Sequence, residues 1–268
     1  MRYGVTVTDR LAEEPARIWR TDQVKLLDSP ELINSTVRVL NGALPGTGKP
    51  YDAQKVSDEL VQMLFAELKD QHGIHAETVL ATLGALAGFS VQMALRETLV
   101  KPGKMPEDKV FVIAKTKTGE SFYLGDTVNE GLFGGKPGVY SVFALVGGGA
   151  QKAGAKELPD IKDIAGYVVS TLGSDKFGIP RVAAEHMPHA PPIELLDKFW
   201  NPVRNLMVLN VQAPLQWPLV LGLAAQKVIV MSKDSLDPAI AGKLVMETAV
   251  AMAKVDPAKV HCAYLQTY

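Results

Sequence analysis

The segment Glu185-His186-Met187-Pro188-His189 is the densest group of metal-capable side chains in the chain: two imidazoles three positions apart, with a carboxylate beside them. Imidazole nitrogens suit divalent transition metals, and two histidines this close can chelate such an ion when a third ligand arrives from elsewhere. In that reading His186 and His189 are the ligands, and Glu185 is the general base toward a metal-bound water. The reaction is then metal-assisted hydrolysis. The spacing that puts two histidines on one helical face is i, i+4, and Pro188 prevents a regular helix here. His72 and His75 are the only other close pair of histidines, at a helix junction. The plain alternative is a pair of solvated loop histidines.

Other segments carry fragments of chemistry. Leu44-Pro45-Gly46-Thr47-Gly48-Lys49-Pro50 resembles the phosphate loop of the AAA-type P-loop NTPases over these seven residues. The resemblance implies nucleotide binding, but Pro50 stands where a Ser or Thr must bind Mg²⁺, and Ser232 follows Val228–Met231 where a Walker-B acid should stand. Gly147-Gly148-Gly149-Ala150-Gln151-Lys152 has Lys152 in place of the third glycine of a dinucleotide-binding turn. Lys101, Lys104, Lys109, Lys115 and Lys117 lie around Phe122 and Tyr123, a combination that can hold single-stranded nucleic acid by charge and stacking. Lysines also guard exposed strand edges, and the net charge of −1 lacks the basic excess of a phosphate-backbone binder. Nucleic acid is therefore an unlikely partner. His261-Cys262 is a poor nucleophile pair, because neighbours on a strand point to opposite faces, and no G-x-S-x-G elbow occurs.

The elements that must position these residues follow from periodicity. Asp52 can cap a helix carrying Val56, Leu60, Leu64 and Leu68 on one stripe, ended by His72-Gly73. A longer apolar helix follows from about Ala76 to Leu99 and stops at Lys101-Pro102-Gly103, so the two form an αα-hairpin. Val110–Ala114 and Ser121–Leu124, joined by Thr118-Gly119, read as a β-hairpin, with Ser35–Leu40 as its available partner strand. Ile161, Ile164, Ala165, Val168 and Leu172 fit a helix ended by Gly173. A proline-punctuated loop from Phe177 to Pro192 precedes a short amphipathic helix with Ile193, Leu196 and Phe199. Leu215–Met231 is nearly apolar throughout, and its end fits a helix or a buried strand equally. Asp237-Pro238 starts a last helix through Ile240, Leu244, Thr248 and Met252. Val139–Ala153 is ambiguous because three glycines interrupt it.

At 268 residues the chain needs no disulfide or metal to build a sufficient core, and its single cysteine, Cys262, permits no intrachain disulfide. That usage and the absence of an N-terminal apolar h-region point to a cytoplasmic protein. Thr78–Leu95 holds no formal charge and carries Gly84 and Gly88 at GxxxG spacing. Thr78, Thr82, Ser90 and Gln92 within it favour a buried helix over a membrane span, the glycines marking close helix approach inside the fold or across a dimer. We therefore expect one helix-dominated α+β domain over residues 1–268, with residues 1–50 an irregular segment packed on it: an αα-hairpin and further helices packed with a small antiparallel sheet. With no complete site in view, the leading functional expectation is a non-catalytic binding or assembly module that self-associates. Metal-assisted hydrolysis at His186 and His189 is the alternative, and nucleic-acid contact through the hairpin lysines a weaker one.

Overall fold

The computed structural model describes residues 51–134 and 140–261. Asp52 caps helix α1 (Ala53–Leu68), its carboxylate accepting the Gln54 and Lys55 N–H groups. A two-residue ladder, β1 (Lys69–Asp70) with β2 (Gly73–Ile74), turns the chain into α2 (Ala76–Leu95). These are the two helices of the expected αα-hairpin, although α1 lies more extensively on a later helix than on α2. One π-helical turn, Arg96–Val100, extends α2. After the short α3 (Glu107–Val110) come β3 (Val112–Lys115) and β4 (Ser121–Leu124), paired antiparallel with Ile113 opposite Tyr123.

Helices then run to the end of the described chain: α4 (Asp126–Phe133), α5 (Val142–Ala153), α6 (Ile161–Ser170), α7 (Pro192–Asn210), α8 (Trp217–Met231) and α9 (Pro238–Met252). The architecture is helix-dominated α+β with small antiparallel hairpins. The expected partner strand Ser35–Leu40, the loop Leu44–Pro50 and Cys262 lie outside the described residues. The neighbour of β4 in the structure is the chain after α9, where Phe122 bridges Val255 and the Tyr123 N–H donates to the Lys254 carbonyl at 2.9 Å.

Three local expectations change. The Gly147–Gly149 run does not interrupt a helix but lies within α5, where a Cβ on Gly149 would stand 3.0 Å from the Gln226 Cα of α8. Gly149 serves that close packing. Val228–Met231 is helical, the end of α8. The helix after the proline-rich loop is 19 residues long and continues past Pro202, because its apolar stripe runs on through Val203 and Met207.

The centre of the molecule is α2, enclosed by α7, α8 and α9, with every residue from Glu77 to Leu95 buried. Its polar groups are all satisfied within the protein. The Thr82 hydroxyl donates to the Thr78 carbonyl and Ser90 to Ala87, both at 2.7 Å. The Gln92 amide donates to the Ala253 and Val255 carbonyls at 3.0 and 3.1 Å, tying α2 to the segment after α9. Gly84 and Gly88 face α9: a Cβ on Gly84 would overlap the Val245 carbonyl and the Thr248 hydroxyl, and one on Gly88 the Ala249 carbonyl. The GxxxG spacing thus serves an approach inside the fold.

That contact yields a paired prediction. Gly88→Ala must push α9 away or distort it, since the obstacle is backbone, and should cost about 3 kcal/mol or more. Gly166, on the exposed side of α6, would have nothing within 4 Å of a Cβ placed on it. Gly166→Ala should therefore stabilise by roughly 0.5–1 kcal/mol, as alanine does in an open helix interior. Urea unfolding of both variants measures the contrast.

Candidate functional site

The loop 177–192 is brought against the start of α2 by its histidines. His75 occupies the position before α2, and Glu77 and Thr78 its first turn. His186, on the 3₁₀ turn Ala184–His186, places its Nδ1 3.0 Å from Glu77 Oε1, while His75 Nε2 stands 3.3 Å from Glu77 Oε2. A carboxylate only accepts hydrogen bonds, so the His186 Nδ1 carries the proton toward Glu77. His75 Nδ1 and the Thr78 hydroxyl are hydrogen-bonded at 2.8 Å, and the same Thr78 oxygen accepts the His189 backbone N–H at 2.9 Å. The His189 ring stacks on that of His75, centroids 3.9 Å apart and planes within 13°. Glu77 gains further from its place in the first turn of α2, where the helix dipole favours negative charge.

The sequence-predicted pair is therefore brought together with two partners that spacing does not single out, Glu77 and Thr78, and with His75, visible in the sequence only as half of another pair. His72 stays outside, exposed beside Gln71. Glu185 is exposed on the same turn as His186 and takes no part in the junction. Among the described residues no three His, Cys, Asp or Glu side chains are placed to hold a metal ion. Stacked parallel rings also send their in-plane lone pairs alongside one another instead of toward a common point, so His75 and His189 cannot share an ion as they stand. Within the junction Glu77 and Thr78 are the polar groups that receive partners from both the loop and the start of α2.

The other end of the loop is held by charge. The Arg181 guanidinium binds both oxygens of Asp163 on α6, at 2.6 and 3.2 Å, and donates through Nε to Glu247 Oε1 on α9 at 2.9 Å. The Arg181 backbone N–H bonds the second Glu247 oxygen, and the guanidinium lies over the Tyr167 ring, 4.2 Å from its centroid. Glu247 is buried, so this ionic clasp supplies the partners a carboxylate needs away from water. Hydrogen bonding from Arg181 holds the Asp163 carboxyl below the usual carboxylate range.

Elsewhere the motifs resolve into structure. Lys101, Lys104, Lys109, Lys115 and Lys117 are exposed, but Phe122 is buried, and Tyr123 stands under the Arg96 guanidinium at 4.4 Å. Neither ring is an open stacking platform. His261 caps the described chain on α7, its N–H and Nδ1 meeting the Asp197 carboxylate at 2.6 and 2.8 Å. Lys254 is a buried amine whose ammonium donates to the Val250 carbonyl at 3.0 Å. Burial pushes its pKa down to about 8. Comparison with protein families, curated proteins and solved structures returns no match for this chain.

Two pH effects follow. Burial holds His75 below its ordinary value; Glu77 and Asp70 act against that, while His189 and His186 reinforce it. A base with a depressed folded pKa contributes stability that is present above its ordinary value, near 6.5, and lost as pH falls through the folded one. Amide exchange across residues 183–190, corrected for intrinsic rates, should therefore be slower at about pH 7.5 than at about pH 5.5. His75→Phe, which keeps a stacking ring without titrating, should flatten the difference. For Lys254 the penalty is complete below about pH 8 and fades as pH rises toward 10.5, its ordinary value. Lys254→Met should stabilise by roughly 3 kcal/mol at neutral pH, with the gain shrinking in urea titrations at higher pH.

Proposed function

We propose that this chain is a soluble, cytoplasmic, non-catalytic binding or assembly module that acts as a homo-oligomer. The observation that carries the reading is an apolar knuckle at the end of α7. Val208 and Leu209 are 47% and 81% exposed, and Leu215, on the 3₁₀ turn that follows, is 41% exposed. Single exposed leucines need no explanation, but large apolar residues gathered within eight positions are what a partner covers.

A second copy of the chain is the occupant that the local charge favours. No charged residue occurs between Arg204 and Lys227. In a two-fold contact the same patch meets itself, and an uncharged patch does so without like-charge repulsion. The overall net charge of −1 adds little repulsion at longer range. A stable dimer buries roughly 1,000 Å² or more, so the knuckle would form the centre of a wider contact. The Gly84 and Gly88 face does not enter this reading, because α9 covers it. Two helical stretches, Ala76–Val100 and Pro214–Met231, are long and apolar enough to cross a membrane by length and composition. Burial of the first throughout its apolar window supports its being a core helix, and the second is two-thirds buried over its own.

Sedimentation velocity at tens of micromolar tests the proposal. The wild-type chain should sediment as a dimer or larger species, and Leu209→Asp should return it to monomer with its helical content unchanged, because the side chain is outside the core. A wild-type monomer at these concentrations would sink the reading.

A further inference from the structure

Where the loop 177–192 meets β4 and the end of α9, the fold leaves a pocket of about 130 Å³. Phe122, Phe177, Ile179, Ile193, Met252 and Val255 form its apolar walls. Gly178 makes the close approach of loop to α9 possible: its φ is +79°, and a Cβ there would come within 2.7 Å of the Met252 methyl. An apolar cavity of this size is large enough for a six-carbon ring, since cavities of about 150 Å³ lined by aliphatic and aromatic side chains take up benzene.

Lys259 is the charged residue among those lining the pocket. Its ammonium stands 5.8 Å from the centroid of the Phe122 ring and is paired with Glu120. The Glu120 side chain is 34% exposed, so it can return to water at little cost if another anion takes Lys259. The walls themselves offer a ligand no hydrogen-bonding side chain. A fitting molecule therefore needs an apolar body for the interior and an anionic end for the mouth.

We propose that this pocket is a binding site for a compact apolar carboxylate, with its ring or short chain between Phe122, Phe177 and Met252 and its carboxylate on Lys259. The site stands apart from the α7 knuckle and does not depend on self-association. So small a ligand makes few contacts, and the affinity belongs in the millimolar range.

Heteronuclear NMR titration of the full chain with benzoate, benzyl alcohol and benzylamine, which share a ring and differ in the end group, tests the assignment. Benzoate should give saturable shifts at Gly178, Met252 and Val255 and bind about tenfold more tightly than the other two, roughly the discrimination one charge-assisted hydrogen bond provides. Lys259→Met should level the three ligands while leaving the melting temperature in place, and Glu120→Gln should strengthen benzoate binding by freeing the ammonium. Ile193→Phe should abolish binding by filling the space. Absence of saturable benzoate shifts at these residues, or benzylamine binding as well as benzoate, would overturn the proposal.

Discussion

The backbone-to-backbone approach of α2 and α9 sets the geometry of the rest. Gly84 and Gly88 bring the buried helix so near α9 that the carbonyls of Val245 and Ala249 occupy the space a Cβ would need. At this separation the Gln92 amide reaches two carbonyls just beyond α9, and their positions fix where the chain leaves the helix. That exit segment is what β4 pairs with, through Phe122 and Val255. A hairpin of four-residue strands is marginal alone. Here it is secured by a helix contact made on the far side of the core, so loosening the glycine seam would be felt at β4.

The loop 177–192 is ordered by two contacts of different character. Arg181 satisfies a buried carboxylate on α9 and a more exposed one on α6, and its charge persists over the whole physiological pH range. At the other end, imidazoles stack and meet a carboxylate and a hydroxyl. Pro188 lies between these anchors and Pro180, Pro191 and Pro192 flank them, limiting the freedom of the chain and reducing the entropy lost on ordering it. The histidines thus add a polar docking contact to a loop whose Phe177 and Ile179 line the apolar pocket at its other end.

Much of the fold is legible in the sequence because its signals are local. Asp52, Asp237 and Asp160 accept hydrogen bonds from the first turns of α1, α9 and α6, and the apolar periods of α1 and α6 follow their buried faces, while α9 is buried nearly all round. The glycine triplet reads as a break because an isolated helix is weakened by glycine, whereas α5 packs so close to α8 at Gly149 that a Cβ there would stand 3.0 Å from the Gln226 Cα. The length of α7 is hidden at Pro202 for the related reason that tertiary burial of Val203 and Met207 outweighs one absent hydrogen bond. Of the histidine junction, His186 and His189 stand out by proximity in sequence. Glu77 lies 109 residues from His186, and no period or spacing encodes a contact of that kind.

The same distinction separates structural from functional polarity in this molecule. A polar group kept for chemistry is held against its own preference, unpaired or strained, by the surrounding structure. Glu77, Glu247, Gln92 and Thr78 show the reverse, each meeting complementary partners from distant parts of the chain. Lys254 departs from that pattern, an ammonium placed among apolar surroundings with a backbone carbonyl for company. It lies beside the carbonyls that receive Gln92 and Tyr123, so its backbone is needed where it is even though its charge is unfavourable there. At the surface lie the uncharged knuckle at the end of α7 and the pocket mouth, where Lys259 pairs with the partly exposed Glu120. Apolar area, with at most one charge beside it, is what those two places have in common.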